Sequence, residues 1–174
     1  MSLTYKRRAI IDELTQDIIA YYNIEIPIPD IDEVVKRIGG KIKSDDLLSE
    51  YSDGYIKKKG DGFEIVVSLY QPRKRRNFTI AHELGHLFLH MGYMIDSEKW
   101  ASQTDRYYRK GNSDEEYEAN EFAAALLMPK KEYKKILDKY TEGDIVHTAK
   151  IAEKFNVSVN AAANRGKWLG YLQW

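Results

Sequence analysis

Apolar positions recur at helical spacing up to residue 38, at strand spacing between residues 40 and 70, and at helical spacing again from residue 79 onward. Ile10, Ile11, Leu14, Ile18 and Ile19, with charges between them, predict an amphipathic helix over residues 5–22. Asn23 to Pro29, with its two prolines, reads as an extended connector. Asp30 then caps a short helix through Val34, Val35 and Ile38 that Gly39-Gly40 ends. Lys41-Ile42-Lys43, Gly54-Tyr55-Ile56 and Phe63-Glu64-Ile65-Val66-Val67 predict a short sheet with a hairpin at Asp61-Gly62. Leu84, Leu87, Phe88 and Met91 place one face of a helix over residues 79–90 on a core.

Downstream, Ser113 with Glu116 three residues later forms a capping box for a helix that runs to Met128 before Pro129. Lys130 to Tyr140 reads as an exposed helix. Asp144 caps a helix over Ile145 to Phe155, and Asn156-Val157-Ser158 turns into a last helix through Ala161 and Trp168. The expected organisation is an α+β domain over residues 1–143 with a small helical subdomain, 144–174, packed on it.

Composition narrows the function classes. With 43% hydrophobic residues in 174, the chain can bury a sizeable core, and 27 basic against 27 acidic residues provide no global field for nucleic acid or an anionic membrane. There is no Cys, so disulfides, thiolate metal ligands and a Cys nucleophile are excluded. Asp12, Glu13 and Asp17 interrupt any apolar leader, and no run approaches a membrane span, so the expectation is a soluble, cytoplasmic protein with no membrane partner.

The chemistry concentrates in Thr79-Ile80-Ala81-His82-Glu83-Leu84-Gly85-His86-Leu87-Phe88-Leu89-His90. His at i and i+4 of a helix points two neutral imidazoles off one face, where they can take adjacent corners of a zinc tetrahedron. Glu83 beside them can take a proton from water activated at the metal and pass one to a leaving amine. Gly85 costs about 1 kcal/mol against Ala in a helix interior, and its missing side chain lets another element approach.

A third ligand is expected from the helix after Ser113. Glu118, one turn before Phe122 on the same side, is the choice, with Glu115 as the fallback; Glu116 is assigned to the cap and Glu121 to solvent. A His-His-Glu set leaves one position open for water, as a catalytic site requires. His90 continues the i, i+4 series, but eight helical residues put it about 12 Å from His82, too far to share an ion, so it reads as a structural or outer-shell residue.

Arg73-Lys74-Arg75-Arg76, expected in a loop, reads as solvated surface. Residues 95–112 carry Trp100, Tyr107, Tyr108 and Arg109 in a polar, aromatic connection. A Tyr107 or Tyr108 hydroxyl there is a candidate for stabilising an oxyanion, the alternative being that the aromatics only pin the loop.

The stretches Phe78 to His90 and Glu118-Ala119-Asn120-Glu121-Phe122-Ala123-Ala124-Ala125-Leu126-Leu127-Met128-Pro129 resemble the two signatures of the ImmA/IrrE family of metallo-endopeptidases, and the resemblance covers nearly the whole chain. It implies a zincin-like, gluzincin-type core with an HExxH helix, a short sheet and a C-terminal helical unit resembling a helix-turn-helix. It implies one Zn2+ per chain on His82, His86 and Glu118, with Glu83 as catalytic base. It also implies site-specific cleavage of a regulatory protein, a helix-turn-helix transcriptional repressor of a phage or mobile element. His147 and Arg165, in the C-terminal unit, become candidate substrate contacts. Asn77 departs from the pattern, which more often has Arg there.

Two other classes compete. A non-hydrolytic zinc-fold module could bind a repressor or antitoxin, but an intact Glu83 has no use in pure binding. A DNA-binding regulator could use residues 144–168 with Lys150, Lys154, Arg165 and Lys167, but the balanced charge argues against direct DNA binding.

Overall fold

The computed structural model describes residues 3–46, 48, 53–103 and 113–173. Helix α1 (Tyr5–Tyr21) starts at Thr4, whose side chain accepts from the Arg7 N–H, and it buries Ile11, Thr15 and Ile18 along one stripe. Helix α2 (Ile31–Ile38) starts at Asp30, whose side chain accepts from the Asp32 N–H, and stops at Gly39 with φ 110°. That left-handed conformation is open to glycine at little cost and closes the helix with backbone bonds.

Strands β1 (Gly40–Asp45), β2 (Gly54–Lys59) and β3 (Gly62–Ser68) form one sheet in the order β1-β3-β2, β1 parallel and β2 antiparallel to β3. The central strand is buried from Phe63 to Ser68, which explains its nearly unbroken apolar run. Glu64 is the exception. Lys59 and Lys57 hold its carboxylate at 2.7 and 2.9 Å, and Lys57 is its direct cross-strand neighbour. The hairpin turns one residue earlier than the sequence predicts: Lys59 pairs with Gly62, so the loop is Gly60-Asp61, and the glycine takes the positive φ of 60° that the first loop position needs.

Helix α3 (Arg73–Leu89) begins right after Pro72. The basic run Arg73–Arg76 is therefore its first turn and not a loop, and Arg75 and Arg76 pair with Asp53 and Asp32 at 2.7 Å each. On the buried side of α3, Leu84, Leu87 and Phe88 enter the core, followed by Met91. Helix α4 (Ser97–Ala101) is short; α5 (Ser113–Leu127) packs along α3, and α6 (Lys130–Lys139) follows Pro129.

The C-terminal part departs from expectation at two points: α6 buries Tyr133 and Leu137 where an exposed helix is expected, and the following helix starts later. Strands β4 (Thr141–Glu142) and β5 (Ile145–Val146) form a two-residue ladder, so the next helix, α7 (Thr148–Lys154), starts after His147 and not at Ile145. Gly143, at φ 59°, makes the turn between the two strands. Helix α8 (Val159–Trp168) starts at Ser158, whose side chain accepts from the Ala161 N–H. Tyr133 on α6 donates to the Ala162 carbonyl at 2.7 Å and stacks on Phe155.

Arg165 fixes α8 to the rest of the molecule, bonding the Met128 carbonyl at 3.1 Å, Glu121 at 2.9 Å and Asp12 at 2.7 Å. Glu121 is thus a buried residue of α5, gripped by Arg8 and Arg165, where the sequence reading placed it in solvent. Its two partners lie 113 and 44 residues away, beyond the reach of helical periodicity. Among the described residues, no helix is long and apolar enough to cross a membrane.

Candidate metal centre

Helical spacing on α3 turns His82 and His86 to one side, and their Nε2 atoms lie 3.0 Å apart, facing each other. Glu83 between them is fully buried. The third partner comes from α5, which approaches where α3 has no side chain. A Cβ on Gly85 would lie 2.9 Å from the Ala119 Cα and 3.1 Å from its carbonyl oxygen. The close approach anticipated at Gly85 is therefore made by α5, and it brings carboxylates to the imidazoles.

The carboxylate delivered there is that of Glu116. Its Oε2 is 3.3 Å from His82 Nε2 and its Oε1 is 3.4 Å from His86 Nε2. Bonds of about 2.0–2.1 Å at tetrahedral angles hold zinc ligand atoms about 3.3 Å apart, so the three separations are those of a tetrahedral face. Two nitrogens and a carboxylate oxygen, with no thiolate, form a donor set suited to a divalent cation of the zinc type.

Glu118, the expected ligand, is elsewhere. Its two oxygens accept from Arg7 Nε and Nη2 at 2.6 and 2.7 Å, and one of them lies 3.1 Å from His90 Nε2. The reason is rotational. Residue 118 is two positions on from 116, about 200° around the helix, so Glu118 faces α1 when Glu116 faces α3. Its spacing from Ser113 suggests a cap role for Glu116; in the structure its carboxylate points into the site. A signal was available in the sequence, because Asn120 lies one turn after Glu116 on the same face and its Oδ1 is 2.9 Å from His82 Nδ1. An amide oxygen accepting from the far nitrogen of a ligand histidine fixes that ring and leaves Nε2 free for a metal.

His90 sits at the end of α3, its Nδ1 2.9 Å from His86 Nδ1, in contact with a ligand-type residue but outside the cluster itself. Burial lowers the His90 pKa against the pull of Glu118, which favours the neutral ring. Burial pushes the Glu118 pKa up, but its hydrogen bonds to Arg7 and His90 outweigh this and hold it below the usual carboxylate range. The same bond to Glu118 raises the Arg7 pKa.

Among the described residues, the remaining sequence candidates do not join this cluster. Tyr107, Tyr108 and Arg109 lie outside the described residues. Trp100 packs edge-on against Tyr93, with ring centroids 4.9 Å apart. His147 stands before α7 with its Nε2 3.6 Å from Glu142. Arg165, 2% exposed, uses its guanidinium to clamp α8 onto α1 and α5. A cleft of about 670 Å3 opens between α1, α3, α5 and α8, and its walls include Phe78, Tyr117, Asn120, Asn164 and Trp168. Asn120 belongs both to this wall and to the His82 contact, so the cleft adjoins the cluster.

The family model for Peptidase_M78, described as the IrrE N-terminal-like domain, matches residues 35–167. Among solved structures, a Mycobacterium tuberculosis transcriptional regulator has a similar fold, with a TM-score of 0.63 at 18% identity. The alignment covers 92% of this chain and 48% of that one, so the chain spans about half the length of that structure. No curated protein matches the chain.

Proposed function

Since the chain belongs to the metal-dependent M78 peptidase family and carries its zincin-like α+β fold, we propose that it is a zinc metallo-endopeptidase that cuts a regulatory protein at a specific site. The observation that supports this most is the convergence of His82 Nε2, His86 Nε2 and the Glu116 carboxylate at 3.0 to 3.4 Å, the spacing of three ligands of a tetrahedral ion. In this reading His82, His86 and Glu116 hold the ion. Bound there, zinc supplies a Lewis acid that acidifies water and polarises a carbonyl.

The chain's own residues supply the rest. Glu83, buried on the same helix, acts as general base toward the attacking water and then returns the proton to the departing amine. Asn120 keeps the His82 ring oriented through its Nδ1. The adjoining cleft, walled by Phe78, Tyr117 and Trp168, offers a polypeptide segment apolar surface beside the reacting centre.

The regulatory substrate is proposed to be a helix-turn-helix transcriptional repressor. The resemblance of the two signature stretches to the ImmA/IrrE endopeptidases supports it, and the structural neighbour is itself described as a transcriptional regulator. The test is incubation of the zinc-loaded chain with the helix-turn-helix repressor encoded beside its gene. The reading expects cleavage at one bond, stopped by a chelator. Glu83→Gln should lose activity by about a hundredfold or more while still binding metal. Equal cleavage by Glu83→Gln would refute the assigned base, and tight binding of repressor without any cleavage would favour a non-hydrolytic binding module.

A further inference from the structure

A line of hydrogen bonds runs from the metal cluster to the first helix: His86 Nδ1 to His90 Nδ1 at 2.9 Å, His90 Nε2 to Glu118 at 3.1 Å, and Glu118 to Arg7 at 2.6 and 2.7 Å. With both rings neutral, as an imidazole that binds an ion through Nε2 is, proton counting along it has one outcome. A carboxylate gripped through both oxygens by a guanidinium is ionised and can only accept. The hydrogen between Glu118 and His90 therefore belongs to His90 Nε2. A neutral imidazole has one N–H, so His90 Nδ1 is a bare acceptor, and the hydrogen between the two rings belongs to His86 Nδ1. His86 Nε2 is then without a proton, and it is the atom that faces His82 and Glu116.

We propose that Glu118 is a positioning residue for His86: anchored by Arg7, it orients His90 so that His90 accepts from His86 Nδ1–H, which turns a bare Nε2 into the metal cluster. The proposal rests on the reading of His82, His86 and Glu116 as ligands. It assigns a task to Arg7, His90 and Glu118, which lie outside the His82, His86 and Glu116 cluster, and it ties Arg7 on α1, 111 residues upstream of Glu118, to the chemistry of α3. His82 is oriented by one acceptor, the Asn120 oxygen. His86 is oriented by a longer line because His90 stands between its Nδ1 and the Glu118 carboxylate.

The tautomers can be read directly. Long-range 1H–15N correlation spectra of the zinc-loaded full chain should show His86 protonated on Nδ1 alone and His90 on Nε2 alone, and Glu118→Ala should mix the tautomers of His90. Zinc affinity, measured by competition with a chromophoric chelator, should fall about ten- to a hundredfold in Glu118→Ala with the stoichiometry at saturation unchanged. Glu118→Gln keeps an oxygen that accepts from His90 and should lose less than Glu118→Ala. Arg7→Met, which leaves the carboxylate in place, should also lose less and covers the case in which Glu118→Ala fails to fold.

A wild-type His90 protonated on Nδ1, or unchanged affinity in Glu118→Ala, overturns the proposal. So does complete loss of stoichiometric zinc in a folded Glu118→Ala, which would make Glu118 a ligand. Failure of the ligand reading is separate: Glu116→Ala would then bind zinc like wild type.

Discussion

Gly85 and Ala119 meet backbone to backbone, 2.9 Å separating the Ala119 Cα from where a Gly85 Cβ would be. This contact sets the distance between the helix that carries the imidazoles and the helix that carries Glu116. Replacing Gly85 by Ala gains about 1 kcal/mol of helix propensity. It also pushes against main chain that cannot rotate away, at about 1–3 kcal/mol for such overpacking. The balance is a net cost, so Gly85→Ala should lower unfolding stability by up to about 2 kcal/mol in urea and weaken metal binding by moving α5 outward. A variant as stable as wild type with wild-type metal affinity would show that the approach at Gly85 does not set the site.

Arg165 shows how a residue that reads as a functional cation becomes a structural one. It is 2% exposed and satisfied by Asp12, Glu121 and a carbonyl. Truncating one member of a buried ion cluster leaves the others uncompensated, at about 3–5 kcal/mol. Arg165→Met should lie near the lower end, because Arg8 remains on Glu121. Chemical denaturation checks it, and a loss under 1 kcal/mol would mean that water reaches the cluster.

Alkaline pH should unfold the α6–α8 packing through Tyr133. Its hydroxyl donates to the Ala162 carbonyl, and burial pushes its pKa up to about 12, outweighing the charge of Arg165. An unfolded tyrosine titrates near 10. The folded state therefore keeps a proton that the unfolded state gives up, so Tyr133's contribution is complete below about pH 10 and is lost as pH rises toward 12. Tyr22, also raised to about 12 by burial, adds to the loss in the same window. Tyr133→Phe should cost about 1 kcal/mol at neutral pH for the hydrogen bond and flatten part of the decline between pH 10 and 12. An unchanged slope would assign the whole decline elsewhere.

What the sequence revealed was local. The stripe of Leu84, Leu87, Phe88 and Met91 fixed the face of α3, Asp30 and Gly39 bounded α2, and the His82–His86 spacing announced the imidazole pair. What it concealed depends on contacts between distant segments. Choosing among the carboxylates of α5 requires knowing which side faces α3 and which faces α1, and Arg7 and Arg8, which claim Glu118 and Glu121, lie more than 100 residues away. Reading Glu116 with Asn120, as a ligand followed one turn later by its neighbour's hydrogen-bond acceptor, would have favoured Glu116. Reading Glu118 with Phe122 led toward the α1 side. The β4–β5 ladder was hidden for a related reason, since two-residue strands leave no periodicity to detect.

The most direct test of the central claim is metal content, by elemental analysis of the zinc-supplied chain and of Glu116→Ala, each first confirmed to be folded. The account predicts close to one zinc per wild-type chain and almost none in the variant, because two imidazoles alone hold an ion weakly. Equal zinc in the two proteins, or none in wild type, would contradict it.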